Sequence, residues 1–287
     1  MHPRLTLENV SYSYPLPGRG EAPALSSISL RVEPSEVLCI GGANGSGKST
    51  LAQVCAGLLV PSSGSVHYLG KRVDGRKGLL GLRRKVGLLF QSPEDQLFAD
   101  TIEKDISFGP RNHGLRGAEL KERVREAAAL FDFDLDRSGG KSPFALSEGE
   151  KRRVALAGVI ALDPEVLILD EPFIGMDYDS RAHLQSLLER LRSRQGTSIV
   201  IVTHELATAW SLADRYAILS GGRLNLLQSR ADLVSSEAEL APLGLRLPQW
   251  GVLANRLRRM GIAVDDPADP RSLARAICSI REAGDGR

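Results

Sequence analysis

Cysteine is scarce. The three present, Cys39, Cys55 and Cys278, are too few and too scattered for a disulfide framework. Cys39 and Cys55 sit inside apolar runs, where buried thiols are expected, and a reducing, cytoplasmic compartment follows. Long hydrophobic runs are missing as well; none approaches the roughly 18 residues that a membrane-spanning helix needs. Neither sign of charge dominates. Lys+Arg 37 against Asp+Glu 35 leaves a net +2, which gives no electrostatic footprint for nucleic acid. Met1-His2-Pro3-Arg4 leads directly into a strand pattern, so no signal peptide is expected. What is present is an ordinary globular composition, 42% hydrophobic and 25% charged, over 287 residues. That length suits one large domain, or one domain with an appendage. There is no internal repeat.

The chain is organised around Gly42-Ala43-Asn44-Gly45-Ser46-Gly47-Lys48-Ser49, which fits the phosphate-loop pattern G-x-x-x-x-G-K-[ST] without a mismatch. Its context fits too. Val37–Ile40 is a short apolar run that predicts a buried strand, and Ser49–Leu59 predicts a helix with Leu51, Val54, Cys55 and Leu58 on one face. Glycines let backbone N–H groups close round phosphates, and the helix N-terminus adds positive potential. Lys48 is placed to reach the β- and γ-phosphates of a nucleotide, and the Ser49 hydroxyl to hold Mg²⁺.

Alternation at Leu5, Leu7, Val10, Tyr12 and Tyr14, and again at Ile28, Leu30 and Val32, predicts a small antiparallel sheet, with Pro15–Pro23 a loop between. Tyr14 is placed either to stack on a nucleobase or to pack on its strand neighbours. Lys71–Lys85 is basic and irregular and predicts a solvated loop. Val86–Phe90 is a buried strand ending at Gln91, a residue able to reach a metal and an attacking water. Residues 96–162 are mostly helical, including Gly117–Phe131 and Glu150–Leu162. Val166–Leu169 leads into Asp170-Glu171, an apolar strand ending in two carboxylates. In phosphate-loop enzymes such a strand puts an Asp in the Mg²⁺ shell, and the adjacent Glu can activate water. A helix over Ser180–Arg194 and a strand over Ser198–Thr203 ending at His204 follow; the other four histidines, at 2, 67, 113 and 183, are expected to be structural or on the surface. Alternating strands and helices imply a mainly parallel sheet with its ligand at the strands' C-terminal ends. Arg215–Leu227 predicts a hairpin turning at Gly221-Gly222.

These motifs, in this order over residues 1–230, resemble the ATP-binding subunits of ABC transporters. The resemblance implies an α/β fold: a phosphate-loop, RecA-like core, an N-terminal antiparallel β subdomain and an inserted α-helical subdomain at about 92–162 carrying the signature. It places Tyr14 against the base, Gly42 to Ser49 with Thr50 round the phosphates, and Gln91 as the Q-loop glutamine. The signature, usually L-S-G-G-Q, is Leu146-Ser147-Glu148-Gly149-Glu150 here. Ser147, Gly149 and Glu150 are expected at the nucleotide, with Asp177 as the D-loop aspartate. Ser49, Gln91 and Asp170 are the expected metal positions, and Lys48, Gln91, Glu171 and His204 the catalytic ones. Four departures stand out: Glu148 for Gly, Glu150 for Gln, Met176 for Leu in the D-loop, and Glu205 for Asp after His204.

The segment from Phe90 to Phe98, Asp105–Pro110 and Lys151–Gly158 resembles, more narrowly, the ATPases of energy-coupling factor (ECF) transporters, which import vitamins or transition-metal ions. That group carries a C-terminal extension, matched here by 239–287 after an ATPase domain over 1–238. The resemblance implies ATP and Mg²⁺, a second ATP-binding subunit (identical or paralogous), a transmembrane coupling subunit, a membrane-embedded substrate-binding subunit and a peripheral place on the cytoplasmic face of the membrane. Gln96, Leu97, Phe98 and Phe108 are expected to be exposed to the coupling subunit. The apolar stripes at Leu243–Met260 and Leu273–Ile280 are expected to help hold the two ATPases together. The alternative is a soluble ABC ATPase acting on ribosomes or DNA. Such proteins usually carry two ATPase units in one chain or a long coiled coil, and neither is present.

Overall fold

The computed structural model describes residues 2–18, 20–266 and 269–284, with side chains described except at 93, 94, 270 and 279–284. The chain opens with β1 (Leu5–Leu16) and β2 (Gly20–Val32), an antiparallel pair, followed by β3 (Val37–Gly42), α1 (Lys48–Cys55), β4 (Ser63–Tyr68), β5 (Lys71–Arg72), α2 (Gly75–Arg83) and β6 (Val86–Leu89). A helical block follows: α3 (Ile102–Asn112), α4 (Gly117–Ala129), α5 (Leu135–Ser138) and α6 (Glu148–Ile160). The chain then returns through β7 (Val166–Asp170), α7 (Tyr178–Gln195), β8 (Ser198–Thr203), α8 (Leu206–Ala209), β9 (Arg215–Ser220) and β10 (Arg223–Ser229). It ends in α9 (Arg230–Ser235), α10 (Glu237–Leu240), α11 (Gln249–Arg259) and α12 (Pro270–Gly284).

Two sheets form. The antiparallel one runs β2-β1-β4-β5, and the core sheet runs β10-β9-β3-β8-β7-β6. In the core sheet β3 pairs parallel with β8 and β9, β7 pairs parallel with β8 and β6, and only β10 is antiparallel. Parallel strands are covered on both faces, so their sequences are apolar throughout while alternate residues enter different cores. Val37, Cys39, Leu167, Leu169, Ile199 and Ile201 join the core shared with the helical block. Leu38, Ile40, Val166, Ile168, Val200 and Val202 join the core shared with the antiparallel sheet and α1. The register sets Gly41 beside Thr203, and Asp170 beside Val202, so the strand ends that carry the motifs lie along one edge.

Several sequence expectations need correction. The Pro15–Pro23 loop is largely strand: Tyr14 pairs with Ala22, Pro15 with Glu21 and Leu16 with Gly20. Beyond Ser11 β4 no longer flanks β1, and β2 is itself an edge strand, so prolines cost little ladder bonding there. The solvated loop at Lys71–Lys85 contains α2. Gly75, Gly78 and Gly81 lower its intrinsic propensity, but Leu82 is buried and Arg83 Nε donates to Gly57 O at 2.8 Å, so packing overrides propensity. The first helix stops at Cys55, because Gly57 turns the chain at φ 69°, and Leu58 is exposed instead of sharing the buried face. The C-terminal segment builds no core of its own. Leu233, Val234, Leu240, Leu245, Leu247, Ala254, Leu257, Leu273 and Ala276 enter the same cluster as β8 and β9. The side chain of Ile280, placed by the sequence on the second stripe, lies outside the described residues. Cys39 and Cys55 are buried as expected, and burial pushes the Cys55 thiol up to about 12. Among the described residues no helix is long and apolar enough to cross a membrane.

Candidate functional site

The phosphate loop leaves the C-terminal end of β3, near the middle of the core sheet. Gly45 and Gly47 adopt φ 77° and 100°, in the region that favours glycine. At Gly47 space forbids a side chain as well, since a Cβ there would come within 2.6 Å of Ala24 O. A Cβ on Gly222 would meet the same carbonyl at 2.6 Å, so β2, the phosphate loop and the β9–β10 turn meet at one point. Ser46 N–H donates to Ala43 O (3.2 Å), while the buried Ser46 hydroxyl has no partner. Lys48 is buried and its Nζ donates to Gly42 O (2.8 Å) and Ala43 O (3.0 Å). Burial lowers its pKa, and Glu171 and Asp170 act in the opposite direction.

A cleft of about 590 Å³ opens over this loop. Asn44, Gly45, Gly47, Lys48, Ser49 and Thr50 line it, joined by Tyr14, Gln91, Asp170 and Glu171 from three other segments. Pro23, Ala24, Gly221 and Gly222 complete the wall. The motifs do not point to these four; the sole sequence signal was the turn at Gly221-Gly222. Tyr14 stands edge-on to Tyr12, with ring centroids 5.0 Å apart, and its hydroxyl shares a hydrogen bond with Thr50 Oγ1 at 3.1 Å. Both strand-neighbour packing and exposure to the cleft hold for it.

Asp170 is buried and its carboxyl is raised by desolvation; a hydrogen bond from Ser49 partly offsets that. Asp170 and Glu171 set two carboxylates against Lys48, an excess that suits a divalent cation. Ser49, Asp170 and Gln91 are oxygen donors of the hard type that Mg²⁺ prefers. No group of three or more His, Cys, Asp or Glu residues among those described forms a metal cage by itself. Glu171 is also buried, and its Oε1 accepts from His204 N–H at 2.9 Å and meets His204 Nδ1 at 2.5 Å. His204 therefore joins the cleft through Glu171.

The signature residues are elsewhere. Ser147, Gly149, Glu150 and Asp177 line a second cleft of about 670 Å³, which Gln91 alone of the predicted site residues shares with the first. Ser147 caps α6 in a reciprocal box with Glu150. Its N–H and hydroxyl donate to Glu150 Oε2 at 2.9 and 2.6 Å, and its Oγ accepts from Glu150 N–H at 3.4 Å. These bonds hold the Glu150 carboxyl below its ordinary range. Asp177 caps α7 by accepting from Ser180 N–H at 2.7 Å, which starts that helix at Tyr178 and not at Ser180. Arg152, inside the segment Lys151–Gly158 but given no role by it, ties α6 to the chain after β7 by donating to Pro172 O and Ile174 O.

The chain matches the family model for ABC transporters over residues 25–174. It is 40% identical to the energy-coupling factor transporter ATP-binding protein EcfA2 of Symbiobacterium thermophilum, over 99% of this chain and 97% of that protein. It is 38% identical to EcfA2 of Clostridium perfringens, over 91% and 92%. The solved structure of cbiO1 from C. perfringens, described as part of the ABC transporter complex cbiONQ, superposes with a TM-score of 0.72 at 34% identity, covering 89% of this chain and all of that one. The ATP-binding cassette MJ0796, solved as a dimer with ADP and Pi, gives 0.71 at 27% identity over 79% and 98%. The chain belongs to the ABC transporter family, among the ATP-binding proteins of energy-coupling factor transporters, which are transport-coupled ATPases of the ABC type.

Proposed function

We propose that this chain hydrolyses ATP as one of two ATP-binding subunits of an ECF-type importer, whose cargo class is a vitamin or a transition-metal ion. The observation that carries the reading is the division of the site. Lys48, Ser49, Gln91, Asp170 and Glu171 line one cleft, and Ser147, Gly149, Glu150 and Asp177 line another. A nucleotide over the phosphate loop would be completed by the signature face of a second subunit, identical or paralogous. The phosphate-loop N–H groups and Lys48 would hold the β- and γ-phosphates, and Tyr14 would lie against the base. Asp170, Ser49 and Gln91 would hold Mg²⁺, which when bound neutralises charge developing on the phosphates. Glu171 would take a proton from the attacking water, with His204 fixing one of its oxygens. The ATPase domain over 1–238 and the extension over 239–287 are the proposed parts of the chain.

The transmembrane coupling subunit would dock at Phe98 and Phe108. Of the four residues expected to be exposed there, Leu97 is buried, and Gln96 is turned inward. Its amide accepts from Phe90 N–H at 2.9 Å and donates to Leu88 O at 3.0 Å, completing the open edge of β6. Phe98 and Phe108 are 56% and 48% exposed and form an edge-on pair with centroids 4.5 Å apart. Asp105 holds the backbone of this segment, accepting from Phe98 N–H and Ala99 N–H at 3.0 and 2.9 Å. A charge at position 98 therefore alters the surface and not the fold. Isolated from its own membranes, the chain is expected to carry a transmembrane protein and a small membrane-embedded binding protein with it, and to release phosphate from Mg-ATP. Phe98→Glu is expected to retain ATP binding and lose both membrane proteins. Full co-purification by the variant would reject this docking surface.

The extension supplies a second contact between ATPases in this proposal. Its buried leucines belong to the body of the chain, so cutting the extension away would unroof that core. The exposed large apolar side chains among the described residues of the extension are Leu253, Met260 and Ile277, 37%, 72% and 43% exposed; Leu253 and Met260 stand seven positions apart, the second just past the end of α11. Leu253→Glu with Met260→Glu is expected to leave the melting temperature within a few degrees, as surface changes do. Light scattering without nucleotide should show a lower mass than for the parent chain. An unchanged mass would assign the extension to its own domain alone.

A further inference from the structure

Glu171 stands at φ 49°, a left-handed conformation uncommon for a residue with a side chain. Its N–H donates to Val202 O at 2.8 Å, which anchors the residue to the end of β8. His204 engages Oε1 only. A glutamate's terminal torsion is broad, so a carboxylate held by one oxygen still swings about it. The second oxygen, Oε2, accepts from the hydroxyl of Thr203 at 2.9 Å. Thr203 is 1% exposed, and its Oγ1 accepts from Glu205 N–H at 3.1 Å. A hydroxyl has one proton, and with a lone pair occupied by the Glu205 amide that proton is directed at the carboxylate. Thr208 Oγ1, 3.4 Å from Thr203 Oγ1, gives its proton to Glu205 O at 2.8 Å and so closes the turn beneath.

We propose that Thr203 is a positioning residue for ATP hydrolysis, fixing the plane of the Glu171 carboxylate so that its remaining lone pairs point into the phosphate-loop cleft. The inference rests on Glu171 being the proton acceptor. Misplacing a reacting group by about an ångström can cost about a hundredfold in rate, and loss of an outer partner of a site typically costs tenfold or more. Thr203→Val keeps the shape of the side chain and removes the proton.

The test uses the full chain, with whatever subunits co-purify with it. Turnover of Mg-ATP and equilibrium ATP binding are measured for Thr203→Val, Thr203→Ser, Glu171→Gln and the double variant Thr203→Val with Glu171→Gln. In Thr203→Val, kcat is expected to fall by about tenfold or more, with KM and ATP affinity within about twofold of the parent. Thr203→Ser, which restores the hydroxyl, is expected to recover turnover. The double variant is expected to be no slower than Glu171→Gln, because both changes act on one step. If Thr203→Val does not fold, Thr203→Ala is measured against Thr203→Ser in its place. Normal kcat in the hydroxyl-free variant, beside an inactive Glu171→Gln, would overturn the proposal and leave Glu171 as the acceptor. So would a slow Thr203→Ser, which would mean that packing and not the proton matters. Normal turnover in Glu171→Gln would remove the acceptor itself.

Discussion

Glu171→Gln is expected to leave ATP binding within about twofold of the parent and to lower turnover by about a hundredfold or more, the scale of general-base catalysis. The amide keeps the size of the carboxylate and loses its ability to take a proton. It also meets the wrong partners. Both carboxylate oxygens accept from donors here, Oε1 from His204 and Oε2 from Thr203, whereas a glutamine offers one acceptor and one NH₂. One of the two contacts must then set donor against donor until a hydroxyl turns. Binding is spared because the phosphate-loop amides and Lys48 lie on a different strand end. The measurement is phosphate release beside nucleotide retention in one preparation. Parental turnover in the glutamine variant would end the assignment of Glu171 as the base.

Lys48→Ala is expected to weaken ATP binding by roughly one to two orders of magnitude, the value of a hydrogen bond to a charged group. Lys48 is the cation whose charge Asp170 and Glu171 both sense. Its removal leaves two carboxylates facing the phosphates of the nucleotide, so repulsion adds to the lost contact. In the protein alone Nζ donates only to carbonyls of its own loop, at Gly42 and Ala43. The folded chain should therefore melt within a few degrees of the parent, which separates lost binding from lost structure. Titration calorimetry with ATP reads the first and thermal unfolding the second. Parental affinity with alanine at 48 would remove Lys48 from the site.

The parallel core was legible because its strands are buried on both faces and are therefore written as uninterrupted apolar runs, each ending in a polar residue at the same sheet edge. Gln91, Asp170 and His204 were marked that way, and Gly42 by the phosphate-loop pattern at the end of β3. Elements governed by contacts remote in sequence were less visible. Pro15 and Pro23 spell a loop, yet strand pairing continues past them because a free edge tolerates proline. The three glycines of α2 hide a helix that exists because Leu82 has a place to pack. Gln96 was grouped with its apolar neighbours, and nothing local shows that its amide completes the edge of β6. Thr203 was noted as the end of a strand; its bond to Glu171 joins residues 32 positions apart, which no local pattern encodes.

Ser147 has a single hydroxyl proton, and in this chain Glu150 already receives it, at 2.6 Å. The first turn of α6 thus contains its own competitor, a carboxylate occupying the place where an outside anion would be bound by a helix N-terminus. In the proposed role of Ser147, an entering phosphate oxygen would have to displace that internal decoy before it gained the serine. Capping contacts are worth about 1 kcal/mol, so the decoy raises the anion concentration needed for half-occupancy about fivefold. Glu148, exposed on the same turn, adds charge of the same sign. In the proposed pairing, the signature faces of two subunits built this way would engage across a threshold, held apart until nucleotide contacts outweigh the carboxylates, and would part once those contacts are lost, leaving the contact at the extension.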